Sequence, residues 1–287
     1  MSSKESTVKF SNENAYLAPA KLNLMLNVVG RREDGYHLLE SIFCLIDLCD
    51  TVYLRERDDG KIILHNPLPN VPPEQDLTVR AALLLQNATN TIKGVDIVLE
   101  KKIPMGGGLG GGSSDAATVL LVLNKLWQCG LSRLQLQEIA LKLGADVPFF
   151  IFGQNAFVEG IGEKLTAINL PKRHYVVIYP SVHISTAKIF NHEDLTRNSQ
   201  HVKISSLESD IVLHNDLQKV VVAEYSEVAA ALDLLQQYGN AVMTGSGSCV
   251  FLPVDSREEA EQIRDKTKLF YPTFCVSGLE QHPLYLL

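Results

Sequence analysis

The chain has 287 residues, of which 46% are hydrophobic and 21% are charged, and its formal net charge is −7 at pH 7. This composition is typical of a globular protein and excludes a wholly disordered chain. The acidic balance disfavours a broad surface that neutralises phosphates, so we expect no nucleic-acid partner. A cleft can still focus a few positive charges on an anionic small molecule.

Targeting signals are not evident. The longest apolar runs, such as residues 119–123, are far too short to span a bilayer, and the polar first fourteen residues lack the apolar core of a secretory signal. Five cysteines form neither a CxxC pair nor a zinc-type spacing, and their odd number argues against a disulfide framework. We therefore expect a cytoplasmic protein without a membrane partner.

The first predicted strand covers residues 21–28, where polar and apolar side chains alternate. This alternation predicts a strand with one buried face and one exposed face. Lys21 and Asn23 fall on the same face, about 7 Å apart, because side chains in a strand repeat every two residues. Both can therefore line one site.

The next segments predict two strands and a helix. Residues 51–57 resemble a strand that ends in a turn at 58–60. Asp76 is an expected N-cap, because apolar residues at helical spacing follow it from Leu77. A strand with alternate residues pointing inward is expected within 95–103.

Two helices are predicted after this strand. The first follows a glycine-rich loop and covers about 113–127. The second begins after Ser132, which forms a capping-box pair with Gln135, and ends near Gly144. Asp146 is then expected just beyond a helix end.

A new series of predicted elements begins near residue 170, which marks a candidate lobe boundary. Its predicted elements are a strand at 174–180, helices near 216–225 and 226–238, strands on either side of the GSGS segment within 241–252, a capping box at Ser256 and Glu259, and a strand near Phe274. Strands and helices mixed without strict alternation indicate an α+β fold.

The glycine-rich loop reads PMGGGLGGGSSDAA over residues 104–117, with six glycines in seven positions. Glycines allow positive φ and close approach of the backbone to an anion, and a helix that starts here directs its positive dipole end at that anion. A flexible surface loop is the alternative, but it would not require the serine-rich helix start. Asp115 would repel phosphate unless it faces away or meets a metal ion.

Two better-known phosphate loops do not fit this segment. Gly106, Gly108 and Gly111 satisfy G-x-G-x-x-G, but no acidic residue lies near position 131, where a dinucleotide fold would place its ribose-binding acid. A Walker loop fails because Ser113, and not lysine, follows the glycines. A second glycine stretch, MTGSGSCV at 243–250, is compatible with either a hairpin turn or a functional loop.

Three segments together resemble the GHMP kinase superfamily, which includes galactokinase, homoserine kinase and mevalonate kinase. They are APAKLNL at 18–24, PMGGGLGGGSSDAA at 104–117 and TGSGSCVF at 244–251. The segments AKLNLMLNVVGRREDGYHLLESIF and LGADVPFF are similar to the branch that phosphorylates a cytidine diphosphate alcohol for isoprenoid biosynthesis. The similarity extends over nearly the whole chain from about residue 17.

By this resemblance, Lys21 and Asp146 are the catalytic pair, with Asp146 taking the proton from the substrate hydroxyl. A lysine there adds positive charge where the transferring phosphoryl group needs it. Without the family, Lys21 would be read as a solvated strand lysine and Asp146 as a residue of a helix-exit turn.

The resemblance also implies two sets of binding residues. Those expected to hold ATP are Lys101, Pro104, Met105, Gly106, Gly107, Gly108, Leu109, Gly110, Gly111, Gly112, Ser113 and Ser114. Those expected to hold the cytidine diphosphate substrate are Asn23, Tyr36, His37, Phe190, Gly245, Ser246 and Gly247. Asp76 stands where the resemblance leads us to expect asparagine near the nucleotide. Mg²⁺ is implied by ATP chemistry, but no carboxylate cluster in the sequence identifies its ligands.

The resemblance implies a two-lobed fold with the active site in the cleft between an N-terminal ATP-binding lobe, 1–165, and a C-terminal lobe, 166–287. Two other functions stay open. One is a GHMP kinase that acts on homoserine or a mevalonate-type acid, and the other is a nucleotide-binding sensor without catalysis. The sequence does not fix the oligomeric state, for which a weak homodimer is one alternative.

Overall fold

The computed structural model describes residue 11 and residues 14–69, 71–202 and 212–287. These residues form two sheets with helices packed around them, which confirms the predicted α+β class. The strands are β1 (Ala15–Arg31), β2 (His37–Arg57), β3 (Ile62–Leu64), β4 (Gly94–Glu100), β5 (Ala156–Gly160), β6 (Lys164–Ala167), β7 (His174–Ile178), β8 (His214–Asn215), β9 (Val242–Met243), β10 (Val250–Val254) and β11 (Thr273–Ser277). The helices are α1 (Leu77–Thr89), α2 (Gly111–Leu126), α3 (Arg133–Ala140), α4 (Val147–Phe152), α5 (Thr186–Phe190), α6 (Gln218–Glu224), α7 (Ser226–Gln236) and α8 (Arg257–Thr267).

A long antiparallel hairpin of β1 and β2 forms the centre of the larger sheet. The order along its main path is β3-β4-β2-β1-β8, while β5 pairs with β2 and β6 pairs with β5. The smaller sheet has the order β11-β7-β10-β9. Because β8 pairs in parallel with β1, the chain returns to the first sheet after it has begun the second.

Strand β1 differs from the sequence prediction, because both of its faces are buried. Leu22 and Leu24 belong to an apolar cluster that also contains Val177 and Phe251 of the smaller sheet. The opposite face carries Lys21, whose side chain is only 4% exposed. The alternation of side chains correctly predicted the strand. It could not reveal that the smaller sheet packs on one face of β1 and helices pack on the other.

The helix starts follow their capping chemistry. The Asp76 side chain accepts a hydrogen bond from the Thr78 amide, which confirms the predicted N-cap of α1. Ser132 and Gln135 form both bonds of the predicted capping box of α3. At α8 the serine cap from Ser256 is confirmed, but Glu259 accepts from the amide of Asp255 and not from that of Ser256.

One helix boundary differs from the sequence prediction. Helix α3 ends at Ala140, before Gly144, and the chain then turns directly into α4 at Val147. The proposed division between residues 165 and 166 falls inside β6 and stays a prediction.

Candidate active site

Two cavities share the glycine loop as a common wall. Cavity 1 has a volume of about 800 Å³ and lies between the β1–β2 hairpin and the segments around α5 and residues 245–247. Cavity 2 has a volume of about 370 Å³ and is lined by residues at the start of α1, by Lys101 and by the loop from Pro104 to Ser113. Gly106, Gly108 and Gly110 line both, so the loop separates two spaces that can hold two reactants.

Glycine is required in the loop because it packs tightly against the second glycine stretch. Gly108 has a φ of +77°, and a Cβ there would lie 2.4 Å from the carbonyl oxygen of Thr244. The Cys249 amide donates to the carbonyl of Gly107 at 3.1 Å. The two glycine stretches, which are distant in sequence, therefore form one backbone-to-backbone contact that any side chain at Gly108 would disrupt.

Helix α2 begins directly at the end of this loop. Its N-cap, Gly110, has positive φ and supplies no side-chain hydrogen bond to the first turn. The first backbone N–H groups of a helix have no partner within the helix, so this terminus can bind an anion. This geometry agrees with the anion-binding interpretation of the loop.

Lys21 and Asp146 meet at the wall of cavity 1. The Nζ atom of Lys21 lies 3.4 Å from Oδ2 of Asp146 and donates to Oδ1 of Asn23 at 2.6 Å. The Asp146 side chain is 33% exposed, so its carboxylate can still meet a ligand in the cavity. All three residues line cavity 1, as the sequence predicts for residues of one site.

Both members of this pair are positioned by the backbone around them. The amide of Lys21 donates to the carbonyl of Leu109 at 3.0 Å, which ties β1 to the glycine loop. The Nζ atom of Lys21 also lies 4.7 Å from the centroid of the Phe43 ring. Asp146 is the N-cap residue of α4, but its side chain makes no capping hydrogen bond, so its carboxylate remains available to Lys21 and to a ligand.

Asn23 is held by two residues that sequence reasoning missed. Its amide nitrogen Nδ2 donates to Oγ of Ser41 at 3.0 Å, and its backbone N–H donates to Oγ1 of Thr244 at 2.9 Å. Ser41 in turn donates to the carbonyl of Met25. Thr244 lies within the second glycine stretch at 243–250, which was a usable signal, whereas only the pairing of β1 with β2 brings Ser41 to Asn23.

Three rings, of Tyr36, His37 and Phe190, line cavity 1 beside the turn of the β1–β2 hairpin, and we call this part the aromatic end of the cavity. The His37 and Phe190 ring centroids lie 5.1 Å apart with an interplanar angle of 32°. Tyr36 lines the same cavity and is 61% exposed, which leaves its ring free for a ligand. Burial and the nearby positive charges of Arg197 and Arg31 lower the pKa of His37.

The second glycine stretch forms another part of the wall of cavity 1, where Gly245, Ser246 and Gly247 all lie. Ser246 Oγ is 2.7 Å from Oγ1 of Thr186, the first residue of α5. His183 also lines this cavity, and a Cβ on Gly106 would lie 2.9 Å from its Nδ1 atom. Its sequence neighbourhood gave no signal of this placement.

Lys101 lies at the wall of cavity 2 but is tied to two buried aspartates. Its Nζ atom donates to Asp115 at 2.7 Å and also to Asp50. Asp50 accepts two further bonds, from the amides of Lys102 and Ile103 at 2.6 and 2.8 Å. Asp115 therefore faces Lys101 rather than opposing a phosphate. Burial raises the pKa of Asp115 to about 7, with Lys101 opposing this rise and Asp50 adding to it.

Most of the residues expected to hold ATP line cavity 2, and Asp76 lines it as well. Ser114 differs, because it is fully buried and lines neither cavity. Within the described ranges, no hydrogen-bond partner is found for its Oγ atom. Its assignment to the ATP site therefore stays a prediction without a contact to the cavity.

The described residues hold no cluster of three or more His, Cys, Asp or Glu side chains that could bind a metal ion. Nor does any helix among them have the length and apolarity needed to cross a membrane. All five cysteines are free thiols.

Comparison with known proteins identifies the fold family. Residues 76–154 match the GHMP kinases N terminal domain, and residues 193–273 match the GHMP kinases C terminal domain. The chain belongs to the GHMP kinase family. The resemblance seen in the sequence is thereby confirmed, and the two glycine stretches of this GHMP kinase lie one in each matched domain.

Close relatives of this GHMP kinase carry one enzyme name. A protein of Neisseria gonorrhoeae (strain NCCP11945) named 4-diphosphocytidyl-2-C-methyl-D-erythritol kinase is 57% identical over 94% of this chain and 96% of its own length. A protein of the same name from Thiobacillus denitrificans (strain ATCC 25259 / T1) is 54% identical over 94% of this chain and 97% of its own. The crystal structure of a 4-(cytidine 5′-diphospho)-2C-methyl-D-erythritol kinase superposes with a TM-score of 0.82 at 31% identity, covering 92% of this chain and 98% of the other. The predicted GHMP kinase fold is confirmed.

Proposed function

We propose that this GHMP kinase transfers the γ-phosphoryl group of ATP to the 2-hydroxyl of 4-diphosphocytidyl-2-C-methyl-D-erythritol, in the methylerythritol phosphate route to isoprenoids. The relatives that carry this name align with nearly the whole chain. One observation carries the mechanism: Lys21 and Asp146 lie on the wall of cavity 1, whose glycine loop is also the wall of cavity 2. A group bound in one cavity can thus meet a group bound in the other at the loop.

In this proposal, ATP occupies cavity 2 and its phosphates lie against the glycine loop. The uncapped start of α2 and the glycines with positive φ supply backbone N–H groups for the phosphate oxygens. Lys101 contributes mainly by fixing the wall of this cavity, because both of its aspartate partners are buried and compete for its ammonium group.

The acceptor alcohol occupies cavity 1 with its hydroxyl at Asp146. Oδ2 of Asp146 accepts the hydrogen bond of that hydroxyl and takes its proton as the new oxygen–phosphorus bond forms. The bond between the γ-phosphorus and the bridging oxygen of ADP breaks in the same step, and ADP leaves with that oxygen. The ammonium group of Lys21, 3.4 Å from Oδ2, stabilises the negative charge on the phosphoryl oxygens in the transition state. Phosphoryl transfer depends mainly on such positioning and charge stabilisation, which both residues provide.

Mg²⁺ completes the proposal. Bound Mg²⁺ would neutralise negative charge that develops on the phosphate oxygens, and this ion usually takes only one or two protein ligands besides phosphate and water. The hydroxyl of Ser113, on the wall of cavity 2 in the first turn of α2, fits such a role as an oxygen donor.

The aromatic end of cavity 1 suits the cytosine ring. Aromatic side chains stack on nucleobases, and Tyr36 and Phe190 both line this cavity. Asn23 is hydrogen-bonded to Lys21 and Thr244, and in this proposal it contacts the substrate near the reacting hydroxyl.

Activity against a panel of alcohols tests the assignment. Purified protein with ATP and Mg²⁺ should phosphorylate 4-diphosphocytidyl-2-C-methyl-D-erythritol and leave homoserine and mevalonate unchanged. Turnover of homoserine without turnover of the cytidylyl alcohol would overturn the substrate. ATP binding without transfer to any alcohol would instead favour a nucleotide sensor.

Two further parts of the proposal concern the setting of the enzyme. The five free thiols suit a reducing compartment, and we propose the cytoplasm.

We also propose that the enzyme forms a weak homodimer. Sedimentation over a hundredfold range of protein concentration tests it, since a constant monomer mass would exclude it.

A further inference from the structure

Arg197 packs behind the aromatic end of cavity 1. It has no atom on the cavity wall, but its Nε atom donates a hydrogen bond to Nε2 of His37 at 3.1 Å. Its two terminal nitrogens donate to the backbone carbonyl oxygens of Phe190, His192, Glu193 and Leu195. A guanidinium group has five N–H donors, and here five acceptors surround it.

This contact fixes the position of the ring proton of His37. A guanidinium group can only donate, so the Nε2 atom that receives its bond must carry no proton. Arg197 and Arg31 are the charged groups that act on this histidine, and both are positive, as is consistent with a neutral ring. A neutral imidazole with a bare Nε2 carries its proton on Nδ1.

The Nδ1 atom is the part of the ring that remains for a ligand. Among the residues that the structure describes, no side chain or backbone group bonds to it, and His37 lines cavity 1. Arg197 also holds the carbonyl of Phe190, so one side chain sets both the tautomer of His37 and the position of the neighbouring ring.

We propose that Arg197 is a positioning residue for the nucleobase: it holds His37 in the tautomer whose Nδ1–H donates to a pyrimidine acceptor. This inference rests on the proposed function, since cytosine offers O2 and N3 as acceptors. Arg197 is not among the site residues predicted from the sequence, and the residues next to it give no signal of this role.

A double-mutant cycle separates this role from simple support of the loop. Arg197→Gln should raise KM for the cytidylyl alcohol about tenfold, as expected for a lost or misdirected hydrogen bond, and leave KM for ATP unchanged. His37→Asn places an amide N–H near the position of Nδ1 without needing Arg197. In that background, Arg197→Gln should change KM by less than about twofold. Arg173→Gln, which removes an exposed arginine paired with Asp255, is the matched control.

Nitrogen-15 spectra of histidine-labelled protein read the tautomer directly. The signal that disappears in His37→Asn belongs to His37, and in the unmodified chain it should show the proton on Nδ1. A proton on Nε2 would overturn the inference, and so would an equal rise in KM for Arg197→Gln in both backgrounds. If the unmodified chain fails to phosphorylate the cytidylyl alcohol, the proposed function falls, and the nucleobase acceptor with it. An additive cycle in an active enzyme removes only the role of Arg197.

Discussion

The two sides of the glycine loop each contain a lysine paired with aspartate and shielded from most solvent, but the two pairs are built differently. Lys101 lies between Asp50 and Asp115, whose side chains are almost fully buried. Lys21 meets Asp146, which is one-third exposed and lines a cavity. The difference indicates that Lys101 is committed to holding the structure, whereas Lys21 retains a partner that a substrate can reach.

Replacing Lys101 should have the largest effect on stability. Lys101→Met leaves two buried carboxylates without their cation, which should lower the free energy of unfolding by about 3–5 kcal/mol. Urea denaturation followed by circular dichroism measures this change. The neighbouring Lys102→Met is the control, because Lys102 is exposed and its ion pair is with exposed Glu100. Its effect should stay within about 0.5 kcal/mol. Equal effects of the two variants would contradict a structural role for Lys101.

Replacing Lys21 should have the opposite balance of effects, with a larger effect on catalysis than on stability. Lys21→Met should reduce kcat by about 10²–10³-fold, because the ammonium group that stabilises the negative charge of the transferring phosphoryl group is lost. Its unfolding free energy should fall by less than that of Lys101→Met, since water can still solvate Asp146. The comparison fails if Lys21→Met unfolds as readily as Lys101→Met while its kcat stays near that of the unmodified enzyme.

The smallest expected effect concerns the aromatic end of cavity 1. Tyr36→Ala should raise KM for the cytidylyl alcohol through a stacking loss of about 1–3 kcal/mol, with kcat nearly unchanged. Steady-state kinetics with saturating ATP gives both constants. Phe270→Ala removes another highly exposed ring, which lines neither cavity, and should leave KM unchanged. An unchanged KM for Tyr36→Ala would remove that residue from the site.

Local chemistry predicted much of the fold. The caps at Asp76 and Ser132 and the apolar spacing of α1 and α2 placed these helices correctly, because the required interactions lie within a few residues. The short helix α4 was missed, since its sequence is apolar all round and has no periodic face. Both faces of β1 are buried for a reason that local pattern cannot supply. The smaller sheet, formed by residues after 173, packs on one face, and helices pack on the other.

The candidate site shows the same limit. The glycine loop was predicted from its composition. Lys21 and Asp146 were predicted as a catalytic pair only through the family resemblance, since neither has a local signature. The partners of Lys101 were not predicted, because Asp50 reaches it only through the pairing of β2 with β4. Thr244, Ser41 and Arg197 act through side chains that the fold brings from distant segments.

The most direct test of the account is single-turnover phosphoryl transfer by Asp146→Asn, with ATP binding measured on the same preparation. Asp58→Asn, which changes a highly exposed aspartate, is the control. The account predicts that Asp146→Asn slows transfer to the cytidylyl alcohol by about 10²–10⁴-fold while ATP affinity changes little. Transfer at nearly the rate of the unmodified enzyme would contradict the claim that Lys21 and Asp146 meet the acceptor hydroxyl.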